Sequence, residues 1–285
     1  MDNIKWKESM LEKISRFCLM DDTFFNVCMD GCPECVQLIL QIIMNNEALE
    51  VQSVVTQRSV GNMEYRGVRF DVMATAEGKV YDIEIQRADA GAIPRRARYN
   101  SSMIDANVLR SGQDFSELPE SYIIFITEHD VLKYNLPIYH IDMIITENNA
   151  PFEDGRHIIY VNGDNRDDSA LGQLMQDFFS KNPNEMNYEK LKSRTRYFKE
   201  TEEGVKKMCE IMQEAYNEGI AEGIAKGIAK GIARGITEGA TNARIDMTIE
   251  LLKEKQPIDM IARTSKFSME KIKEIAKENN IAITE

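Results

Sequence analysis

Few histidines, no long apolar run and no surplus of positive charge: each shortage in this chain closes off a class of function. The three histidines, His129, His140 and His157, are remote in sequence from Cys28, Cys32 and Cys35. Those cysteines, with CPEC among them, have a spacing that suggests zinc, but a structural zinc site takes four ligands and no fourth lies nearby. The longest apolar stretches, such as LILQIIM at 38–44, are too short to span a bilayer. A formal charge of −12 argues against indiscriminate coating of nucleic acid, while leaving room for a local basic patch. The opening MDNIKWKESMLEK is charged and periodic, unlike the apolar core of a secretory signal. An odd number of cysteines (Cys18, Cys28, Cys32, Cys35 and Cys209) without such a signal points to reduced, buried thiols. Together these features predict a cytoplasmic protein that does not enter a membrane.

What is present is ordinary for a globular protein: 285 residues, 43% hydrophobic and 29% charged, enough for one good core with length left over. Residues 4–49 read as helical pieces broken around Asp30-Gly31 and Pro33, with an apolar helix over Val36–Ile43. VQSVVTQ (51–57) reads as a strand by its β-branched content. A hairpin of 68–75 and 80–86 follows, then a helix within 92–112, with Pro94 near its start and Gly112 past its end. Strands are expected at 121–127, 138–146 and 156–162, and a helix at 168–180. The order of elements predicts a mixed α/β layer.

The hairpin RFDVMATAEGKVYDIEIQ (69–86) carries the chemistry. A turn at Glu77-Gly78 sets Asp71 opposite Glu84, and strand alternation places Phe70, Val72, Ala74, Tyr81, Ile83 and Ile85 on a core face. The other face takes Arg69, Asp71, Asp82, Glu84 and Gln86. Facing carboxylates repel, so something should reward the arrangement, and a divalent cation is the obvious candidate. Asp71 and Glu84 supply hard oxygens of the kind Mg2+ requires, and the Ile85 carbonyl offers a third. Gln86 is placed to orient a water, though it can neither carry charge nor move a proton. The plain alternative is a solvated hairpin whose acidic residues face water, and Asp82 is expected to do no more than that.

Between residues 87 and 110, five arginines stand against two aspartates, a local net of +3 in an acidic protein. Arg95, Arg98 and Ser102 share a helix face beside Tyr99, with Arg96 adjacent, a surface suited to a phosphate backbone. The competing reading is a helix that merely neutralises the neighbouring carboxylates.

The tail changes character. GIAEGIAKGIAKGIARGITEG (219–239) has glycine at every fourth residue, and a four-residue period drifts by about 40° per repeat on a straight helix. A charge in every repeat excludes a membrane dimer, leaving either a solvated helical spacer or association with a second copy through the 204–255 tail. Residues 244–281 read as three short helices resembling a helix-turn-helix, with Ser268 as an N-cap. Their seven basic and seven acidic residues over 250–285 suit DNA poorly, and packing or partner binding competes with that reading.

RFDV, DIEIQ, RRARYNSSM and SGQDFSELPESYIIFIT occur in an order that resembles the PD-(D/E)XK nuclease superfamily. Within it the likeness is to the branch of recombination-promoting nucleases, or PD-(D/E)XK family transposases, over roughly residues 18–180. The resemblance implies a restriction-endonuclease-like mixed sheet flanked by helices, with an α-helical C-terminal extension. It divides the chain into a nuclease-like domain (1–198), a helical glycine-repeat linker (199–243) and a small helical region (244–285). It implies a Mg2+-dependent endonuclease, with Mn2+ as a substitute, acting on double-stranded DNA in recombination or transposition-like processing. Asp71 and Glu84 would be metal ligands, with Asp22 in MDDTFF completing the site from the first helical region. Gln86 would stand where the superfamily usually has lysine, giving up a Coulomb contribution. The alternative expectation is a catalytically degenerate fold that binds DNA or protein as an oligomer.

Overall fold

The computed structural model describes residues 2–61 and 67–283. The chain divides into two compact units, Met1–Ile211 and Met212–Glu285. The first opens with helices α1 (Asp2–Arg16), α2 (Asp22–Met29) and α3 (Pro33–Ile43). Strands β1 (Val51–Val60), β2 (Val68–Ala76) and β3 (Lys79–Gln86) follow, then α4 (Pro94–Val108) and β4 (Ser121–Thr127). Next come β5 (Ile138–Ile141), β6 (Ile144–Ile145), β7 (Ala150–Pro151), β8 (Arg156–Asn162), α5 (Ala170–Phe179) and α6 (Glu189–Glu200).

Six strands form one mixed sheet in the order β1-β2-β3-β4-β8-β5. The β2–β3 turn is tight because Glu77 and Gly78 both take positive φ, 53° and 76°, the geometry whose twist suits a two-residue hairpin. It fixes the expected register, with Val72 facing Ile83 and Met73 facing Asp82. β3, β4 and β8 run parallel, which demands crossover connections, and α4 supplies the first. All seven residues of β4 are buried, as its uninterrupted SYIIFIT predicts for a strand covered on both faces.

Three expectations need correction. Asp82 does not face water, and the acidic residues of the hairpin's polar face are buried: Asp82 and Glu84 are 0% exposed and Asp71 7%, with only Arg69 of that face exposed. The reason is α4, which lies over that face and packs Ala97 and Ile104 with Met73, Ile123, Phe125 and Tyr160. The strand expected over 138–146 is two pieces. β5 pairs with β8 only as far as Ile141, and β6 instead pairs with β7 in a separate ladder where Pro151 lacks an amide hydrogen to extend it. The first of the three short C-terminal helices is the end of a single 52-residue helix, α7 (Glu202–Lys253).

Within the second unit, the end of α7 packs with α8 (Ile258–Ser265) and α9 (Met269–Glu278). Leu252, Ile261, Ile272, Ile275 and Ala276 form its core, and Ser268 caps α9 by accepting the Lys271 amide. Along the glycine repeat, Ile220, Ile224, Ile228, Ile232 and Ile236 are exposed.

Candidate active site

Asp71 sits one residue beyond the last paired position of the β2–β3 ladder, Val72 with Ile83. The Ile85 amide there donates to Asp71 Oδ2 at 3.0 Å. Asp71 and Glu84, expected to face each other, thus lie just past the last paired position, and the Glu84 charge bears on the Asp71 carboxyl. Ile85 itself is a core residue, 4% exposed.

Glu84 is held by Arg96, whose Nη2 donates to Oε2 at 2.7 Å while Nη1 donates to the Gly91 carbonyl at 3.0 Å. Asn100 lies one turn further along α4 and donates to Asp82 Oδ2 at 3.5 Å. Arg96 and Asn100 therefore form the inward stripe of α4, at the i, i+4 spacing that places side chains on one face. Arg95, Arg98, Tyr99 and Ser102 are exposed on the helix, and the Ser102 hydroxyl donates back to the Arg98 carbonyl at 3.0 Å. The arginines expected to act together are thus split, one neutralising a carboxylate and two facing solvent.

Asp22, the first residue of α2, shares a cleft of about 810 Å3 with Asp71, Gln86, Arg69, Arg95 and Tyr99. Gln86 lies half-buried against Gly91, and a side chain at residue 91 would collide with its amide oxygen. Arg69 and Asn100 line the cleft without having been given a role from the sequence. Asn100 was detectable from its position four residues after Arg96, and Arg69 from strand alternation, which sets it on the face of Asp71.

The electrostatics are those of crowded acids in a dry place. Burial, then Glu84 and Asp22, push the Asp71 carboxyl up to about 8, against the pull of the Ile85 amide and Arg96. Burial also raises Glu84, with Arg96 opposing, and raises Asp82 well above the usual carboxylate range. Glu84 Oε1 and Asp82 Oδ1 are buried without a hydrogen-bond partner. An unpartnered oxygen among like charges fits a cation of hard-oxygen preference. Among the described residues, no three Asp, Glu, His or Cys side chains converge as a ready-made metal cage. Such a cation would therefore complete its shell with water or backbone oxygen, as Mg2+ commonly does.

A six-stranded mixed sheet flanked by helices, with an acidic hairpin beneath an arginine-bearing crossover helix, is the architecture of the PD-(D/E)XK nucleases. Comparison with known families matches residues 37–218 to the PD-(D/E)XK nuclease family transposases. The match spans well over half of the chain, and the chain belongs to that family. Asp71, Glu84, Gln86 and α4 fall inside the matched segment, and Asp22 falls outside it. No curated protein and no solved structure matches the chain. No helix among the described residues is long and apolar enough to cross a membrane.

Proposed function

We propose that this protein is a Mg2+-dependent endonuclease that hydrolyses phosphodiester bonds in double-stranded DNA, with Mn2+ as a substitute metal. The observation that carries the reading is buried Asp71 lining a cleft beside exposed Arg95, with buried Glu84 behind it keeping one oxygen without a partner. Asp71 and Glu84 would hold the metal, with the Ile85 carbonyl as a further donor and Asp22 across the cleft. When bound, the cation would lower the pKa of a coordinated water and offset charge at the phosphate. The protein's own residues do the rest. Arg95, Arg98, Tyr99 and Ser102 offer a surface for the DNA backbone, while Arg96 orients and partly neutralises Glu84. Gln86 can hold a water by hydrogen bonding but supplies no positive charge, so slower cleavage is expected than a lysine would give.

Incubating supercoiled plasmid with the purified protein tests this. Nicked or linear product that needs Mg2+ or Mn2+, and that disappears in Asp71→Ala and Glu84→Ala, is expected. Undiminished cleavage by both single variants would overturn the assignment.

A second reading has a specific observation in its favour. Arg96 already occupies Glu84 Oε2, and Gln86 is neutral, as expected of a nuclease fold retained for binding alone. It predicts DNA binding by a protein that cleaves under none of these conditions. DNA recombination or transposition-like processing is the setting we infer for either reading.

A further inference from the structure

We propose that Cys32 and Cys35 are a redox-active dithiol, which a hydroperoxide converts into an intramolecular disulfide. The inference is independent of the nuclease reading, which leaves both thiols unused.

The two sulfurs are 2.8 Å apart and share a hydrogen bond, although both cysteines are free. Forming a bond of about 2.05 Å between them asks for little movement. The pairing follows from sequence: Pro33 starts α3, making Cys32 its N-cap, and Cys35 lies one turn along. The Cys35 amide donates back to the Cys32 carbonyl at 3.1 Å, which turns both side chains to the same side. The start of a helix also favours a thiolate there, through the unpaired amides and the dipole.

The two thiols are unequal. The hydrogen bond between the two sulfurs holds Cys32 below the ordinary thiol range, against burial and Glu34, while the same bond and burial push Cys35 up. Cys32 also lines a cleft of about 450 Å3, beside Glu34, Lys190 and Arg194, which brings a small oxidant up to that residue, whereas Cys35 does not line it. Cys28 has neither advantage: it is 0% exposed and burial pushes its thiol up. Cys32 is therefore the attacking thiol and Cys35 the resolving one.

In the first step the Cys32 thiolate attacks a peroxide oxygen. The S–O bond forms, the O–O bond breaks, and the departing oxygen leaves as water or alcohol after taking a proton. In the second, the Cys35 sulfur attacks Cys32 sulfur. The S–S bond forms, the S–O bond breaks, and hydroxide leaves with the Cys35 proton as water. Two thiols are oxidised and one hydroperoxide is reduced.

The test exposes the reduced full-length protein to hydrogen peroxide, stops the reaction with catalase, then unfolds and alkylates it for fragment-ion mass mapping. The segment carrying Cys32 and Cys35 should lose two hydrogens and escape alkylation at both sulfurs, dithiothreitol should reverse this, and Cys28 should alkylate fully. In Cys35→Ser, Cys32 should instead be trapped by dimedone as a sulfenic acid, and in Cys32→Ser, Cys35 should stay reduced. The wild-type map decides the matter even if a variant fails to fold. Full alkylation of Cys32 and Cys35 while the partly exposed Cys209 is oxidised, or a disulfide from either to Cys28, would overturn the proposal.

Discussion

Arg96 reaches across from α4 to donate to Glu84 Oε2 at 2.7 Å, joining a side chain 36% exposed to one with no exposure at all. The contact locks the crossover helix to β3 and compensates one buried charge within a cluster of three acids.

Its removal should expose that dependence. Breaking a buried pair typically costs 3–5 kcal/mol, and with one partner partly in water we expect roughly 2 kcal/mol for Arg96→Met. Adding Glu84→Gln should restore most of that loss, because the stranded charge is then gone. Urea unfolding of the two single variants and the double variant measures the coupling; simple additivity would show that the pair is not coupled.

Asp71 makes the metal-free protein sensitive to pH. Its folded pKa, about 8, lies above the usual 3.8, so the folded state holds the proton more tightly than the unfolded state does. Its burden is absent near pH 4 and grows as pH rises toward 8. Metal-free Asp71→Asn should therefore be more stable than wild type by a few kcal/mol at pH 8 and equal to it near pH 4. Thermal unfolding in chelator across that range checks the sign, and a gain confined to low pH would reverse the account.

Gly91 makes room for Gln86. In Gly91→Ala the new methyl would meet the end of a flexible side chain, so the fold should lose little stability while the Gln86 amide is displaced. Plasmid cleavage should fall about tenfold, the loss of a single positioned hydrogen bond, with the melting temperature nearly unchanged. Unaltered cleavage would remove Gln86 from the chemistry.

The hairpin was legible because alternation and a glycine turn fix register without reference to the rest of the chain. Asp71, Glu84 and the buried faces of Val72 and Ile83 follow from those rules alone. The burial of Asp82 was not legible, since it depends on α4 crossing the acidic face, a tertiary contact made by Met73, Ile123 and Ala97 from three separate segments. The same contact turns Arg96 inward and leaves Arg95 and Arg98 outside, a division that a count of arginines does not reveal. At the tail, the glycine repeat was read as a helical linker ending at 243, but residues 240–253 hold neither glycine nor proline to stop the helix, and α7 runs on to Lys253.

Along α7, Gly223, Gly227 and Gly231 have open space where a side chain would go. Alanine at each should strengthen the helix by about 1 kcal/mol, read as a higher melting temperature in the helical circular dichroism signal. Light scattering on the same triple variant separates the two readings of the tail. A spacer keeps its molecular mass, whereas a helix pair that needs the bare glycines falls apart.

The most direct measurement is calorimetric titration of Mg2+ and Mn2+ into wild type, Asp71→Asn and Glu84→Gln at pH 8. One cation bound by wild type, and at least tenfold weaker binding in each variant, is the expected result. A folded wild-type protein that takes up neither metal, or variants that bind as tightly as it does, would contradict a shared ion between these two carboxylates.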